Sequence, residues 1–481
     1  MRPLKRVAVI GAGVSGLATA KCLLDEGITP VVFEQSARIG GVWNYDETLA
    51  DGGGIAYRSL RTNTSRQMMS FSDFSIPDTL PDFPPRDDVL AYLHAYADRF
   101  DLREHVNLQT PVQSIAPTAD GQWLVRSSRG DQTYDAVVVC TGHDVVPAMP
   151  HYAGVETFKG KLIHSRAYKS PEPFAGQRVL VVGIGSSGAD IATELSDVAQ
   201  RVMLSTTRGG WFVPHYVGGR PWDHLLTRIG NRLPYSLRLR AFQHLITSEY
   251  AHMGLSARPS DWRFPTPAFD LWRARITPSS SLIRKTIESA IEVVPDVARI
   301  EGDGVHFADE QRAPVDSIIL CTGYHIQFPF LDRAIVDPTG NHLDLYKRVF
   351  HPDLQTLAFV GIVNVGGPLP PVAEMQARWV SRVFGGAARL PSSAEMRADV
   401  ARRRAEQSRR SPYPLRVQLL DYMDELAAEI GARPNVLRHL DLAERVLAGP
   451  VIAAQYRLDG AGAWLDAADV IKQCKPHANS L

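Results

Sequence analysis

Two glycine-rich turns are the first residues in this chain with an obvious chemistry. Gly11, Gly13 and Gly16 stand as GxGxxG directly after the short β-branched run KRVAVI and directly before a helical stretch. The first glycine allows a tight turn, the second lets backbone approach a pyrophosphate, and the third lets helix and strand pack closely. The helix start then offers free N–H groups and a positive dipole end to phosphate. Glu34 closes the next strand, TPVVFE, where a carboxylate accepts hydrogen bonds from ribose hydroxyls and repels a 2′-phosphate. The first dinucleotide is therefore FAD or NAD.

The pattern restarts at Gly183, Gly185 and Gly188 after RVLVV, with Ser186 and Ser187 between them. No carboxylate ends the following strand. It ends in SerThrThrArg, and Arg208 offers a bidentate guanidinium suited to a 2′-phosphate. Ser205 and Thr206 could add hydroxyl donors; a surface arginine is the plain alternative. The pair of turns predicts FAD in the first site and NADPH in the second. Between them, GGVW brings Gly41, Val42 and Trp43, a glycine pair that lets backbone lie on a flat ring and a tryptophan that could wall it or simply pack.

These turns need strands and helices to hold them. KRVAVI, the helix after it and TPVVFE make one βαβ unit. A helix is predicted within 83–102, and 122–142 read as antiparallel strands ending at a glycine. Residues 178–197 and 201–210 form the second unit, and DSIILCTGY (316–324) closes it as DAVVVCTGH closed the first. LAFVGI is a further strand and PVAEMQARWVSRVF a helix. Residues 211–285 have weak periodicity and are rich in Trp, Pro, Arg and Tyr. They read as an insertion of helices and loops, where Trp211, His215, Tyr216 and Trp222 could line a pocket or pack. The tail from about 393 is helical and arginine-rich, a solvated face.

The totals set limits. With 481 residues the chain exceeds one ordinary domain. Its formal net charge is zero, against a general nucleic-acid binder. The four cysteines lie far apart with no CxxC, so neither a dithiol redox site nor a zinc ribbon has its ligands; no metal site is expected. No apolar run reaches the ~18 residues of a spanning helix. The expectation is a reduced, soluble, cytoplasmic protein, with a homo-oligomer left open.

FKGKLIHSRAY (158–168) lies between the two turns and supplies Phe158, Gly160, His164 and Tyr168 as FxGxxxHxxxY. That pattern resembles the fingerprint of the flavin-containing monooxygenases. GGVWNY, YRSLRTNTSRQMMSFSDFSIP (57–77), CTGY (321–324) and AFVGI…EMQARW (358–379) resemble other segments of the family. The resemblance covers roughly 5–210 and 315–385.

The resemblance implies an α/β fold with two Rossmann-like domains, the NADPH-binding one inserted into the FAD-binding one. The FAD part would be 1–165 with 320–481, and the NADPH part 166–319 with the insertion at about 211–285. It implies an FAD set of Gly11, Gly13, Ser15, Gly16, Glu34, Gly41, Val42, Trp43, Thr62, Asn63, Val112, Thr141, Gly142 and, by family analogy alone, Gln376. For NADP it implies Gly183, Gly185, Ser186, Ser187, Gly188, Asp190 and Arg208, with His164 and Tyr168 at the domain interface. On its own His164 reads as a structural histidine, and Cys140 and Cys321 as small buried residues.

The implied reaction is NADPH-dependent insertion of one oxygen atom of O2 into a small nucleophile, an amine nitrogen or sulfide sulfur, through a C4a-hydroperoxyflavin. Asn63, in LRTN, is the implied catalytic residue, since its amide can donate and accept; a turn-forming asparagine is the alternative. Tyr168 and Asn63 favour N- or S-oxygenation, because Baeyer–Villiger relatives carry Trp or His there. A ketone-oxidising Baeyer–Villiger enzyme is the runner-up. A redox sensor docking a partner through the arginine-rich tail is a third reading.

Overall fold

The computed structural model describes residues 4–47, 54–144, 146–256, 259–265, 267 and 276–474. In chain order, β1 (Arg6–Ile10), α1 (Val14–Asp25) and β2 (Thr29–Phe33) form the first unit, followed by α2 (Arg86–Arg99), β3 (Val106–Asn107) and β4 (Ala136–Val139). Then come β5 (Lys161–His164), β6 (Arg178–Val182), α3 (Ser186–Leu195), β7 (Arg201–Ser205), α4 (Tyr235–His252), β8 (Glu292–Val294) and β9 (Ser317–Leu320). β10 (Leu357–Phe359), α5 (Pro370–Phe384), α6 (Ser393–Arg410) and α7 (Leu419–Glu429) complete the set that matters here.

The strands build two parallel five-stranded sheets, β10-β4-β1-β2-β3 and β8-β7-β6-β9-β5. Chain leaves the first sheet after β4, completes the second, and returns as β10, so the second unit is inserted into the first. β4 is buried at every residue, as a strand covered on both faces must be. That corrects one expectation. Gly130–Tyr134 pairs antiparallel with Trp123–Ser127, but β4 leaves that hairpin and runs parallel to β1. Asp135 makes the break, its Oδ2 accepting from the N–H groups of Lys5 and Arg6 at 2.8 and 2.9 Å.

β5 pairs with β9 in the second sheet. The alternation of Leu162, Ile163 and His164 suits either sheet, and only the long-range partner decides. Each unit also carries a three-stranded antiparallel sheet just before its closing strand.

The insertion is not a free appendage. Phe212, Trp222, Phe242, Ile246, Tyr250 and Trp262 share a buried core with Val179, Val181 and Ala189 of the second unit, and with Tyr57 and Phe83. His215 and Tyr216 meet the Phe83 ring edge-on at 4.9 and 5.4 Å, so they pack the insertion down.

On α6 the arginines are matched within the chain. Arg397 pairs with Asp353, Arg402 with Asp399 and Glu406, Arg403 with Asp399 and Glu425, and Arg404 with Asp344. Those pairs tie four of the helix's six arginines to carboxylates of the same chain. Among the described residues no helix is long and apolar enough to cross a membrane.

A buried ionic knot fixes the tail. Arg457, 5% exposed, donates to Ser72 Oγ (2.6 Å), Asp73 Oδ2 (3.0 Å), Glu374 Oε1 (3.0 Å) and the Gly462 carbonyl (2.9 Å). Lys21 joins through Asp73 at 2.6 Å. Burial pushes the Asp73 carboxyl up, but Arg457 and Lys21 outweigh it and hold the group below its ordinary value. Arg457→Met would strand buried carboxylates, and about 3–5 kcal/mol of stability should go with it, read by urea denaturation. A loss under about 0.5 kcal/mol would show the knot to be neutral.

Candidate active site: two nucleotide turns and the loop between them

The two turns are built alike. Gly11 and Gly183 adopt φ of 107° and 106°, in the left-handed region that favours glycine. A Cβ on Gly11 would lie 2.8 Å from the Cys140 carbonyl oxygen; on Gly183 it would lie 2.5 Å from that of Cys321. A Cβ on Gly16 or Gly188 would overlap the carbonyl of the first glycine at 1.8 or 1.9 Å. The CysThrGly segments therefore close each turn from the neighbouring strand. Burial pushes the thiols of Cys140 and Cys321 up to about 12, which keeps them unreactive.

In the first turn, the Glu34 carboxylate accepts from Ala12 N–H and Ser36 N–H, both at 2.8 Å. It braces the turn and keeps lone pairs for further donors. Gly41 lies against it, its Cβ position 3.0 Å from Gly13 Cα, and Gly40 N–H donates to the Ala12 carbonyl. Trp43 packs against the first unit's core while Val42 is exposed. Val112 packs against the buried cluster that includes Phe33 of β2. The hydroxyls of Thr62 and Thr141 are buried with no partner among the described residues. A cradle that excludes a Cβ at Gly11 and Gly16, plus two orphaned hydroxyls, fits a dinucleotide carrying polar groups along its length.

Gln376 behaves differently from its implied role. It is fully buried, its Oε1 accepts from Gly361 N–H (2.7 Å), and its Nε2 donates to Tyr422 Oη (2.8 Å). A Cβ on Gly361 would sit 1.9 Å from Ser15 Oγ. Gln376 thus supports the loop that abuts the start of α1.

In the second turn, nothing lies within 4 Å of a Cβ on Gly185, open space at the helix start. Arg208 is exposed, and among the described residues no acidic side chain pairs with it. The hydroxyl donors expected beside it are spent. Ser205 Oγ donates to the Pro295 carbonyl at 2.8 Å, and Thr206 Oγ1 donates to the Arg208 carbonyl at 2.5 Å. Thr206 shapes the Arg208 turn; both hydroxyls satisfy backbone locally, as short side chains beside a turn tend to do. Asp190 has Oδ2 engaged by the Tyr57 hydroxyl, and burial raises its carboxyl to about 6.

The FxGxxxHxxxY segment stitches these parts. A Cβ on Gly160 would lie 2.4 Å from the Asp316 carbonyl. His164 accepts from Arg166 N–H at Nδ1 (3.2 Å), so its Nε2–H donates to the Gly323 carbonyl (3.0 Å). Both nitrogens are used, and burial lowers its pKa. Tyr168 is wholly buried, donates to Glu194 Oε2 on α3 at 2.7 Å, and meets Tyr57 edge-on. Lys169 Nζ then reaches the carbonyls of Gly54 and Ala56.

Residues 54–65 thus run from the second unit's helix to Asn63. Asn63 is half-buried, and among the described residues its carboxamide makes no hydrogen bond. Its backbone carbonyl accepts from Trp222 Nε1 at 2.8 Å. Ser65 N–H and Oγ meet Asp223 Oδ2 at 2.6 and 3.1 Å, and Ser65 Oγ lies 3.1 Å from His224 Nε2. Asp223 and His224 went unread in the sequence. Only the nearby Trp222 hinted at them, and a partner 158 positions away leaves no periodic mark.

Burial raises the Asp223 carboxyl to about 7. The fold therefore favours its neutral form. Stability from this group is full below about pH 4, the unfolded value, and is lost as pH rises through about 7. Unfolding free energies measured at pH 4.5, 5.5 and 6.5 should show a contribution of up to about 1.4 kcal/mol per pH unit that Asp223→Asn abolishes. An unchanged slope would mean the carboxyl is ionised in the fold.

Comparison with known proteins agrees with this architecture. A family model described as flavin-binding monooxygenase-like matches residues 4–477. The N-oxide-forming dimethylaniline monooxygenase 2 of Pan troglodytes is 38% identical over 97% of this chain and 91% of its own. The solved S-allyl-L-cysteine S-oxygenase of Allium sativum superposes with TM-score 0.68 at 25% identity, covering 98% of this chain and 99% of that one. An open cyclohexanone monooxygenase structure gives TM-score 0.66 at 21% identity, covering 89% of this chain and 98% of that one, a likeness of fold. The chain belongs to the flavin-containing monooxygenase family and is an FAD- and NADPH-dependent oxygenase.

Proposed function

We propose that the chain transfers one oxygen atom of O2 to the nitrogen or sulfur of a small soft nucleophile. The observation that carries this is Asn63, an uncommitted half-buried carboxamide on a loop whose backbone is held by Trp222 of the insertion at Asn63 and by the Pro84 carbonyl at Thr62. The overall balance is substrate, NADPH, H⁺ and O2 giving oxygenated substrate, NADP⁺ and water. Bound in the two turns, FAD and NADPH supply the hydride transfer and the oxygen activation. Gly11, Gly13, Ser15, Gly16, Glu34, Gly41, Thr62 and Thr141 would hold FAD. Gly183, Gly185, Ser186, Ser187, Gly188 and Arg208 would hold NADPH.

The protein's own contribution is positional. The Asn63 carboxamide would offer Nδ2–H as a donor and Oδ1 as an acceptor to the cofactors held by the two turns. His164 and Tyr168 keep the two units in register. No general base is required, in keeping with a histidine whose two nitrogens are already committed. The names of the relatives, an N-oxide-forming enzyme and an S-oxygenase, support nitrogen or sulfur as the acceptor.

The division of the chain is proposed with its first boundary moved: an FAD part before Lys161 and after residue 320, and an NADPH part between. A cytoplasmic setting is proposed on the four free cysteines.

A substrate screen with purified holoenzyme tests the acceptor. A tertiary amine or a dialkyl sulfide should accelerate NADPH oxidation with product formed in equal amount. Coupled turnover with ring ketones alone would replace this reading by Baeyer–Villiger oxidation.

A further inference from the structure

Three consecutive residues of the insertion grip the loop that carries Asn63. Trp222 donates its indole N–H to the Asn63 carbonyl at 2.8 Å. Asp223 takes the Ser65 N–H at 2.6 Å and the Ser65 hydroxyl at 3.1 Å. His224 Nε2 lies 3.1 Å from the same hydroxyl. Trp222, Asp223 and His224 are 3%, 0% and 6% exposed, so no water competes for these bonds.

The far end of the same strap is bolted down. Arg228 Nη1 lies 2.7 Å from both Asp424 carboxylate oxygens, and its guanidinium covers the Tyr456 ring at 5.3 Å. The 222–228 segment therefore spans from the Asn63 loop to the C-terminal part of the chain and is fixed at both ends. Ser65 also caps the short helix Arg66–Met69, so its position sets the exit of the loop as well.

A carboxyl buried without a cation costs stability. Asp223 Oδ2 serves Ser65, and its Oδ1 has no side-chain or backbone partner among the described residues. Asp223 can hold the Ser65 N–H where an apolar residue cannot.

We propose that Asp223, with Trp222 beside it, is the positioning residue for Asn63: the insertion sets the Asn63 carboxamide by gripping the backbone on both sides of it. This rests on the reading of Asn63 given above. The insertion so acquires a part in coupling, separate from any contact with substrate.

The test uses holoenzyme of wild type, Asp223→Ala, Asp223→Asn, Trp222→Phe and Asn63→Ala. Two quantities are read: amide hydrogen exchange of segment 62–66, and peroxide released per NADPH consumed. Loss of the buried hydrogen bonds to Ser65 in Asp223→Ala, or of the one to Asn63 in Trp222→Phe, should raise the peroxide fraction about fivefold. Exchange in 62–66 should quicken about tenfold in both, with exchange in 11–16 unchanged. Asp223→Asn keeps an acceptor for Ser65 N–H and should restore most of the coupling lost in Asp223→Ala.

Wild-type exchange and peroxide in a folded Asp223→Ala protein would overturn the proposal. Should Asp223→Ala not fold, Trp222→Phe decides alone by the same two readings. Faster exchange with unchanged peroxide in Asp223→Ala, while Asn63→Ala does leak, overturns the positioning claim only. An Asn63→Ala enzyme that stays coupled overturns the reading of Asn63 itself, and with it the functional half of this inference.

Discussion

Asn63→Ala is expected to keep its FAD, oxidise NADPH, and release most of the reducing power as hydrogen peroxide. Product formed per NADPH should fall about a hundredfold, the usual cost of removing one preorganised donor from a reacting oxygen. FAD retention follows from the geometry. The first turn is closed by Cys140, Glu34 and Gly41, none of which hydrogen-bonds the Asn63 side chain. Trp222 holds the backbone carbonyl of residue 63, which alanine keeps. The lesion is thus confined to a carboxamide that no described residue engages. Asn63→Asp should fail almost as badly, because an ionised carboxylate offers acceptors and no donor. The flavin-to-protein ratio from absorbance, with peroxide and product counted against NADPH, measures all three quantities. Unchanged product per NADPH would remove Asn63 from the chemistry and return it to the role of a turn residue.

The parts of the site that were legible in the sequence are those built from near neighbours. Gly11 and Gly16, or Gly183 and Gly188, are read from spacing because the constraint they answer is local: a strand, a tight turn and a helix must meet within six residues. The fully buried run of β4 was visible as a strand for the same reason, although its partner was not. Lys161–His164 illustrates the limit. Its sequence says strand, while its sheet is chosen by Ser317–Leu320, over 150 positions away.

Polar side chains were the harder class. Ser205 and Thr206 have the right chemistry to meet a phosphate, yet each satisfies a backbone carbonyl close at hand. Gln376 has an amide fit for a flavin, yet both its ends serve Gly361 and Tyr422. Donor and acceptor inventories say what a residue can bind; which partner wins depends on burial and distance in the finished fold. Asp223 is the extreme case. A lone aspartate among aromatic residues carried no signal, and its meaning appears only when the insertion folds onto Ser65.

Arg208→Gln should raise the KM for NADPH about 10- to 100-fold while leaving the KM for NADH nearly unchanged. With Ser205 and Thr206 committed to carbonyls, the guanidinium would carry this contact without their help. It is exposed, so its attraction for a 2′-phosphate is screened by salt. Raising ionic strength from about 0.05 to 0.5 M should therefore raise the wild-type KM for NADPH and leave that of Arg208→Gln almost flat. The kcat at saturating NADPH should hold, since the 2′-phosphate takes no part in the hydride step and its contact stabilises ground and transition states alike. Glu34 makes the complementary case in the first turn, where a carboxylate at the matching strand end repels a 2′-phosphate. Glu34 thus disfavours NADPH in the first turn, and Arg208 would favour it in the second. A wild-type NADPH-to-NADH preference in Arg208→Gln would place the 2′-phosphate elsewhere and break the assignment of this turn.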